Sequence, residues 1–182
     1  MKTFSRVQEW FLLTLNSKAM EENSMITELR MFADMTGGNQ KEFFEFQLAS
    51  AKVVKCVPLK ELFSNEEIKL IKRLVKPQKK ECYKNAHLMT NYFSGVEYVE
   101  GKVKLECGIS VEHAFNRKGD KYFDITWELA LNDKTDGVEY LSIGEYSQET
   151  INRIAIENEV YGDIVRSMFL KQKFNKPLWH AK

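Results

Sequence analysis

The sequence predicts an α+β fold: N-terminal helices, a cysteine-bearing helix packed on an antiparallel sheet, and C-terminal helices. Three observations predict it. Apolar residues recur at helical spacing over much of the chain up to Phe93. After Ser94-Gly95 the texture changes to runs rich in Val, Ile, Tyr and Phe. From Ser147 the helical spacing returns. Helices and strands are segregated, which excludes a parallel βαβ sheet.

Each element has its own signal. Phe4, Val7, Phe11, Leu12 and Leu15 fall on one face of a helix over 4–20. A second helix is expected over about 22–35, with Asn23 or Ser24 near its start and Gly37-Gly38 after its end. Residues 41–57 are ambiguous: Phe43, Phe44, Phe46 and Leu48 suit helix or strand, and KVVKCV (52–57) reads as a strand. Ser64 followed by Glu66 and Glu67 starts a helix over 65–75, which Pro77 closes. The segment 79–93 is helical, with Cys82, Ala86, Met89 and Phe93 on one face. Strands follow over 96–104, 107–117 and 121–127, the last two joined by the tight turn Lys118-Gly119-Asp120. Residues 147–171 return to helix behind the N-cap Ser147, broken or kinked at Gly162. The tail from Phe174, with Pro177 and Trp179, reads as irregular. This divides the chain into a mainly helical region, 1–75, and a core with C-terminal helices, 76–182.

Composition narrows the function classes. With 43% hydrophobic and 12% aromatic residues in 182, the chain can bury a core and is not disordered as a whole. Lys+Arg 27 against Asp+Glu 26 gives a net charge of +1, without the basic excess of a dedicated nucleic-acid binder. No apolar run approaches the ~20 residues that span a bilayer. Cys56, Cys82 and Cys107 are odd in number and irregularly spaced, which suits a reducing cytoplasm better than a disulfide framework. The apolar patch Trp10–Leu13 is too short, and too close to Glu9, for a signal peptide. Neither Cys82 nor Cys107 has Cys or His partners at zinc spacing, so no metal site is expected.

Three residues combine into chemistry. Cys82 lies in the first turns of a helix, where backbone N–H groups and the dipole favour a thiolate, the reactive form of the thiol. Lys79, Lys80 and Lys84 add positive charge. His113 and Asp124 sit in consecutive strands. With Lys118-Gly119 as the loop, Arg117 faces Asp120 and His113 faces Asp124, so the carboxylate holds one imidazole nitrogen and frees the other for the thiol. The alternative reading is a core cysteine, a satisfied strand histidine and a turn aspartate. Asn85, three residues after Cys82, is either a substrate or oxyanion donor or a surface polar residue. Glu100 reads a substrate amine or pairs with a lysine. Trp127 packs over the strands or lines a binding site.

The strings Glu81-Cys82-Tyr83-Lys84-Asn85-Ala86, Tyr98-Val99-Glu100-Gly101, Val111-Glu112-His113-Ala114-Phe115-Asn116 and Tyr122-Phe123-Asp124-Ile125-Thr126-Trp127 resemble a little-characterised group of bacterial and phage proteins. That group shows C-x-x-N-A, Y-V-E-G, H-A-W/F-N and D-x-T-W in this order, and resembles papain-like and transglutaminase-like cysteine enzymes. Tyr140-Leu141-Ser142-Ile143-Gly144 and Val160-Tyr161-Gly162 extend the likeness, which covers about 78–165. The resemblance implies a papain-like core over 76–182 with Cys82, His113 and Asp124 as a triad. It implies Gln78 as an oxyanion donor ahead of the cysteine, at a shorter spacing than in papain-like enzymes. It adds Asn116, in the histidine string, to Asn85, Glu100 and Trp127 as oxyanion or substrate-binding candidates.

The reading is a cytoplasmic cysteine hydrolase or acyl/amide transferase. It would act through a thioester on a small-molecule, peptide or protein substrate, without metal or organic cofactor. The rival from another class is a non-catalytic, phage-encoded binding protein or inhibitor on the same fold. It would grip a host protein or a small nucleotide signal through the N-terminal helices.

Overall fold

The computed structural model describes residues 23–159 and 161–174. The helix expected over 4–20 and the tail beyond Phe174 lie outside these residues. The expected α+β arrangement is present: helices around an antiparallel, curled five-stranded sheet. No helix among the described residues is long and apolar enough to cross a membrane.

Helix α1 (Ser24–Met35) starts where Asn23 accepts a hydrogen bond from Met25 N, the capping role of a short polar side chain. Helix α2 (Gly38–Ser50) resolves the ambiguous stretch as a helix, followed by the short strand β1 (Lys52–Val54). Phe32 of α1 stacks on Phe44 of α2 at 5.4 Å. Met25 and Leu29 pack on Leu141, Ile143 and Val165. Helix α3 (Asn65–Leu74) carries a full capping box, with Ser64 and Glu67 satisfying each other's backbone N–H. Helix α4 (Cys82–Tyr92) then leads into β2 (Val96–Lys104), β3 (Ser110–Lys118) and β4 (Lys121–Phe123). A π-helix, Thr126–Leu131, precedes β5 (Glu139–Tyr146), α5 (Gln148–Asn158) and α6 (Ile164–Phe174).

The sheet order is β1-β5-β2-β3-β4. Its two edges come back together: Cys56, just past β1, bridges Tyr122 of β4, and Val57 N donates to Tyr122 O at 2.8 Å. Closure encloses an apolar interior of Cys56, Val99, Val103, Phe115 and Tyr140. On the outer face, α4, α5 and α6 bury Ala86, Ile151, Ile154 and Ile164 against Tyr98 and Ala114. Gly101 lets β5 approach β2 at the bulge between Glu100 and Gly101; a Cβ there would sit 1.8 Å from Leu141 O.

Two expectations are corrected. The hairpin loop is Gly119-Asp120 rather than Lys118-Gly119, because Lys118 pairs with Lys121 and Arg117 with Tyr122. Gly119, at φ 63°, takes the first loop position, where a primed turn favours glycine. The strand expected over 121–127 stops at Phe123, since Asp124 takes up the N–H groups of Thr126 and Trp127 and starts a helical turn instead. The helical stretch expected over 147–171 with a break or kink at Gly162 is two helices, parted by residues at positive φ, Glu159, Gly162 and Asp163. Residues before and after position 76 also pack together: β1 pairs with β5, and Leu59, Phe63, Ile71 and Val75 share a core with Met89, Val96 and Phe123.

Candidate active site

Helix α4 begins at Cys82 itself. Glu81 precedes it without a side-chain hydrogen bond to the first turn, so no side chain caps the opening N–H groups. The strand β3 supplies His113. Because β4 ends at Phe123, opposite Asn116, β3 has, among the described residues, no neighbouring strand on that side from Ser110 to Phe115. The chain turns at Asp124 beside that open stretch. The two-residue shift in register preserves the faces, so Asp124 still lies on the side of the sheet that carries His113.

His113 Nε2 and Asp124 Oδ2 are 2.6 Å apart, both side chains buried. An ionised carboxylate only accepts, so Nε2 carries the proton and Nδ1 is the nitrogen left for sulfur. Burial disfavours the imidazolium. The Asp124 charge and hydrogen bond, and then Cys82, outweigh it and raise His113 to about 10. Cys82 is the half-exposed member of the trio. His113 meets Asp124 through that bond, and Cys82 hydrogen-bonds the same imidazole.

Asp124 is held from every side. Its Oδ1 accepts from Thr126 N at 2.9 Å and Trp127 N at 3.1 Å; its Oδ2 accepts from His113 and from the Tyr140 hydroxyl at 3.1 Å. Burial, then the Asp124 charge, push the Tyr140 hydroxyl far above its usual range, so it stays a donor. Tyr140 and Thr126 were not singled out from sequence. Alternation along Tyr140-Leu141-Ser142 would have put Tyr140 on one face, but not beside Asp124.

The supporting candidates divide. Trp127 meets the His113 ring edge-on at 6.2 Å and Tyr140 at 6.4 Å, and its buried Nε1 has no hydrogen-bond partner among the described residues. Asn85 is buried and its amide is spent: Oδ1 accepts from Gln78 N, and Nδ2 donates to Gln78 O at 2.8 Å and Thr126 Oγ1 at 3.0 Å. No Asn85 N–H remains for an oxyanion, so it braces the chain entering α4 against the π-helix. Gln78 is exposed, with its backbone fixed by that brace. Asn116 Nδ2 donates to Ala86 O and Glu97 O, tying α4 to the sheet rather than meeting substrate. Glu100 faces away from His113. Its buried carboxylate accepts from Tyr98, Ile164 N and Val165 N, capping α6, where burial raises it to about 7. Among the described residues it pairs with no lysine, and its carboxylate is taken up by these donors rather than by a substrate amine.

The remaining cysteines differ. Cys56 is enclosed in the sheet, and burial, then the Asp124 charge, push its thiol well up; Cys107 is exposed at the β2–β3 connection. His87 is structural: its Nε2 lies 2.7 Å from Asn152 Oδ1 and its ring meets Tyr161 edge-on. Among the described residues, no group of three or more His, Cys, Asp or Glu is placed to hold a metal ion. Comparison with known proteins gives no match: no family model, curated protein or solved structure matches this chain.

Proposed function

We propose that the protein is a cysteine-dependent enzyme of the acyl-transfer class, with Cys82 as nucleophile, His113 as base and then acid, and Asp124 as orienter. The observation that carries this reading is the buried 2.6 Å His113–Asp124 bond with Cys82 beside the same ring, at the first residue of a helix. A histidine held by a carboxylate on one nitrogen and facing a thiol on the other is arranged for proton transfer. A helix-borne cysteine set against a strand-borne histidine and an aspartate just past the end of a neighbouring strand also resembles the layout of a papain-like or transglutaminase-like core.

In this mechanism the thiol proton has passed to His113 before attack, and the Cys82 thiolate of the resulting thiolate–imidazolium pair attacks the carbonyl carbon of an amide or ester. The opening N–H groups of α4, that of Cys82 first, face the developing oxyanion, with the Gln78 side chain as the nearby exposed donor. His113 returns the proton to the leaving amine or alcohol as the carbon–nitrogen or carbon–oxygen bond breaks. The thioester is then opened by water, giving a hydrolase, or by an amine, giving a transferase.

The test is selective alkylation. Iodoacetamide at neutral pH labels Cys82 faster than Cys107 in the native chain, and His113→Ala removes the difference. Equal labelling of the two thiols, indifferent to His113, would exclude the mechanism.

A further inference from the structure

We propose that Tyr140 is a positioning residue of this site, its hydroxyl fixing the Asp124 oxygen that orients His113. The inference rests on the cysteine-enzyme reading above. Tyr140 reaches the site from β5, a strand that pairs with β1 and β2 and not with β3 or β4. Its side chain is fully enclosed inside the curled sheet, and its hydroxyl meets Asp124 Oδ2 at 3.1 Å. The ring is fixed independently of that bond, by Phe115 at 5.2 Å and by the Trp127 and His113 rings.

The geometry gives the hydroxyl a directional task. Oδ1 is occupied by two backbone amides, so Oδ2 alone is left for His113. A carboxylate oxygen has two lone pairs. Tyr140 takes one and leaves His113 the other, which fixes the plane of the imidazole toward Cys82. The same donor draws charge from Oδ2 and moderates the pull of Asp124 on the imidazolium. The titratable groups facing Tyr140 and the His113–Asp124 pair are Cys82 from α4, Cys56 after β1 and Glu128 from the π-helix.

The test uses Tyr140→Phe in the full chain, which removes one oxygen and keeps the ring. Cys82 alkylation is followed by mass spectrometry across pH, and the His113 ring N–H by proton NMR. The midpoint of the pH profile moves about half a unit lower, because a carboxylate with one donor fewer holds the imidazolium more strongly. The N–H resonance shifts. Phe115→Leu, which alters packing on the same ring and touches no hydrogen bond, leaves the midpoint in place. Should Tyr140→Phe not fold, 3-fluorotyrosine at position 140, a stronger donor, moves the midpoint upward instead. An unchanged midpoint and resonance in a folded Tyr140→Phe protein, with His113→Ala still slowing alkylation, overturns the Tyr140 assignment alone. Alkylation indifferent to His113→Ala overturns the enzyme reading and this inference together.

Discussion

Asp124 and Glu100 are two buried carboxylates built on one plan and put to different uses. Each accepts two backbone N–H groups at the start of a helical segment: Thr126 and Trp127 for Asp124, Ile164 and Val165 for Glu100. Each also accepts a tyrosine hydroxyl, Tyr140 in one case and Tyr98 in the other. The difference is the fourth partner. Asp124 has His113, whose charged form it supports. Among the described residues Glu100 has no cation beside it, and burial pushes it up to about 7. Both carboxylates therefore cap a helical segment, and only the imidazole beside Asp124 gives it, in the proposed mechanism, the added task of orienting a nucleophile.

The largest way to break the comparison is on the His113 side. His113→Ala is expected to slow Cys82 alkylation at neutral pH by about 10- to 100-fold, the usual worth of a positioned proton acceptor. Cys82→Ala abolishes labelling at that site and leaves the circular dichroism and melting temperature near those of the parent. Asp124→Ala is expected to cost about 3–5 kcal/mol in denaturant unfolding, because it strands a charged ring, a hydroxyl and two amides at once.

The pH dependence of stability sharpens the contrast. Glu100 is an acid raised from 4.5 to about 7, so the folded state holds its proton more tightly than the unfolded state does. Its contribution is fully present below about 4.5 and is lost as pH rises through 7. His113 is a base raised from 6.5 to about 10, so its contribution is present below 6.5 and is lost as pH rises through 10. Thermal melts are therefore expected to fall in two windows. Glu100→Gln removes the acidic one, which is worth about 3 kcal/mol or less at one pH unit per 1.4 kcal/mol. His113→Ala removes the alkaline one. A melting curve flat across both windows would contradict the two environments.

The smallest effects lie on the other thiols. Cys56→Ala, inside the curled sheet, is expected to cost about 1 kcal/mol as a small cavity. Cys107→Ser, exposed on the β2–β3 connection, is expected to stay within about 0.5 kcal/mol in the same unfolding measurement.

Much of the scaffold was legible because it depends on local rules. The capping box at Ser64 and Glu67, the bounds of β2, and the hairpin carrying His113 follow from residue type and spacing. Strand β5 was passed over, although it lies second in the sheet order. Its residues alternate between the enclosed interior, with Tyr140, and the α1–α2 face, with Leu141 and Ile143, so it lacks the apolar–polar rhythm of a half-exposed strand. The π-helix was hidden for another reason: Tyr122-Phe123-Asp124-Ile125-Thr126-Trp127 has β propensity throughout. What ends the strand is the capture of two N–H groups by Asp124, a choice that propensity does not report.

The candidate site shows the same division. Sequence alone determined the chemical types and their order: a thiol opening a helix, then an imidazole and a carboxylate on successive chain segments. Those are set by bonding and short-range sterics. Tertiary structure alone decided which polar residues would be consumed as braces, as Asn85, Asn116 and Glu100 were, and which would be left to act. It also decided that Tyr140 would reach Asp124. Each of these depends on where distant segments come to rest. A polar side chain buried at such a junction is claimed by the nearest unsatisfied donor or acceptor, whatever its sequence neighbours suggest.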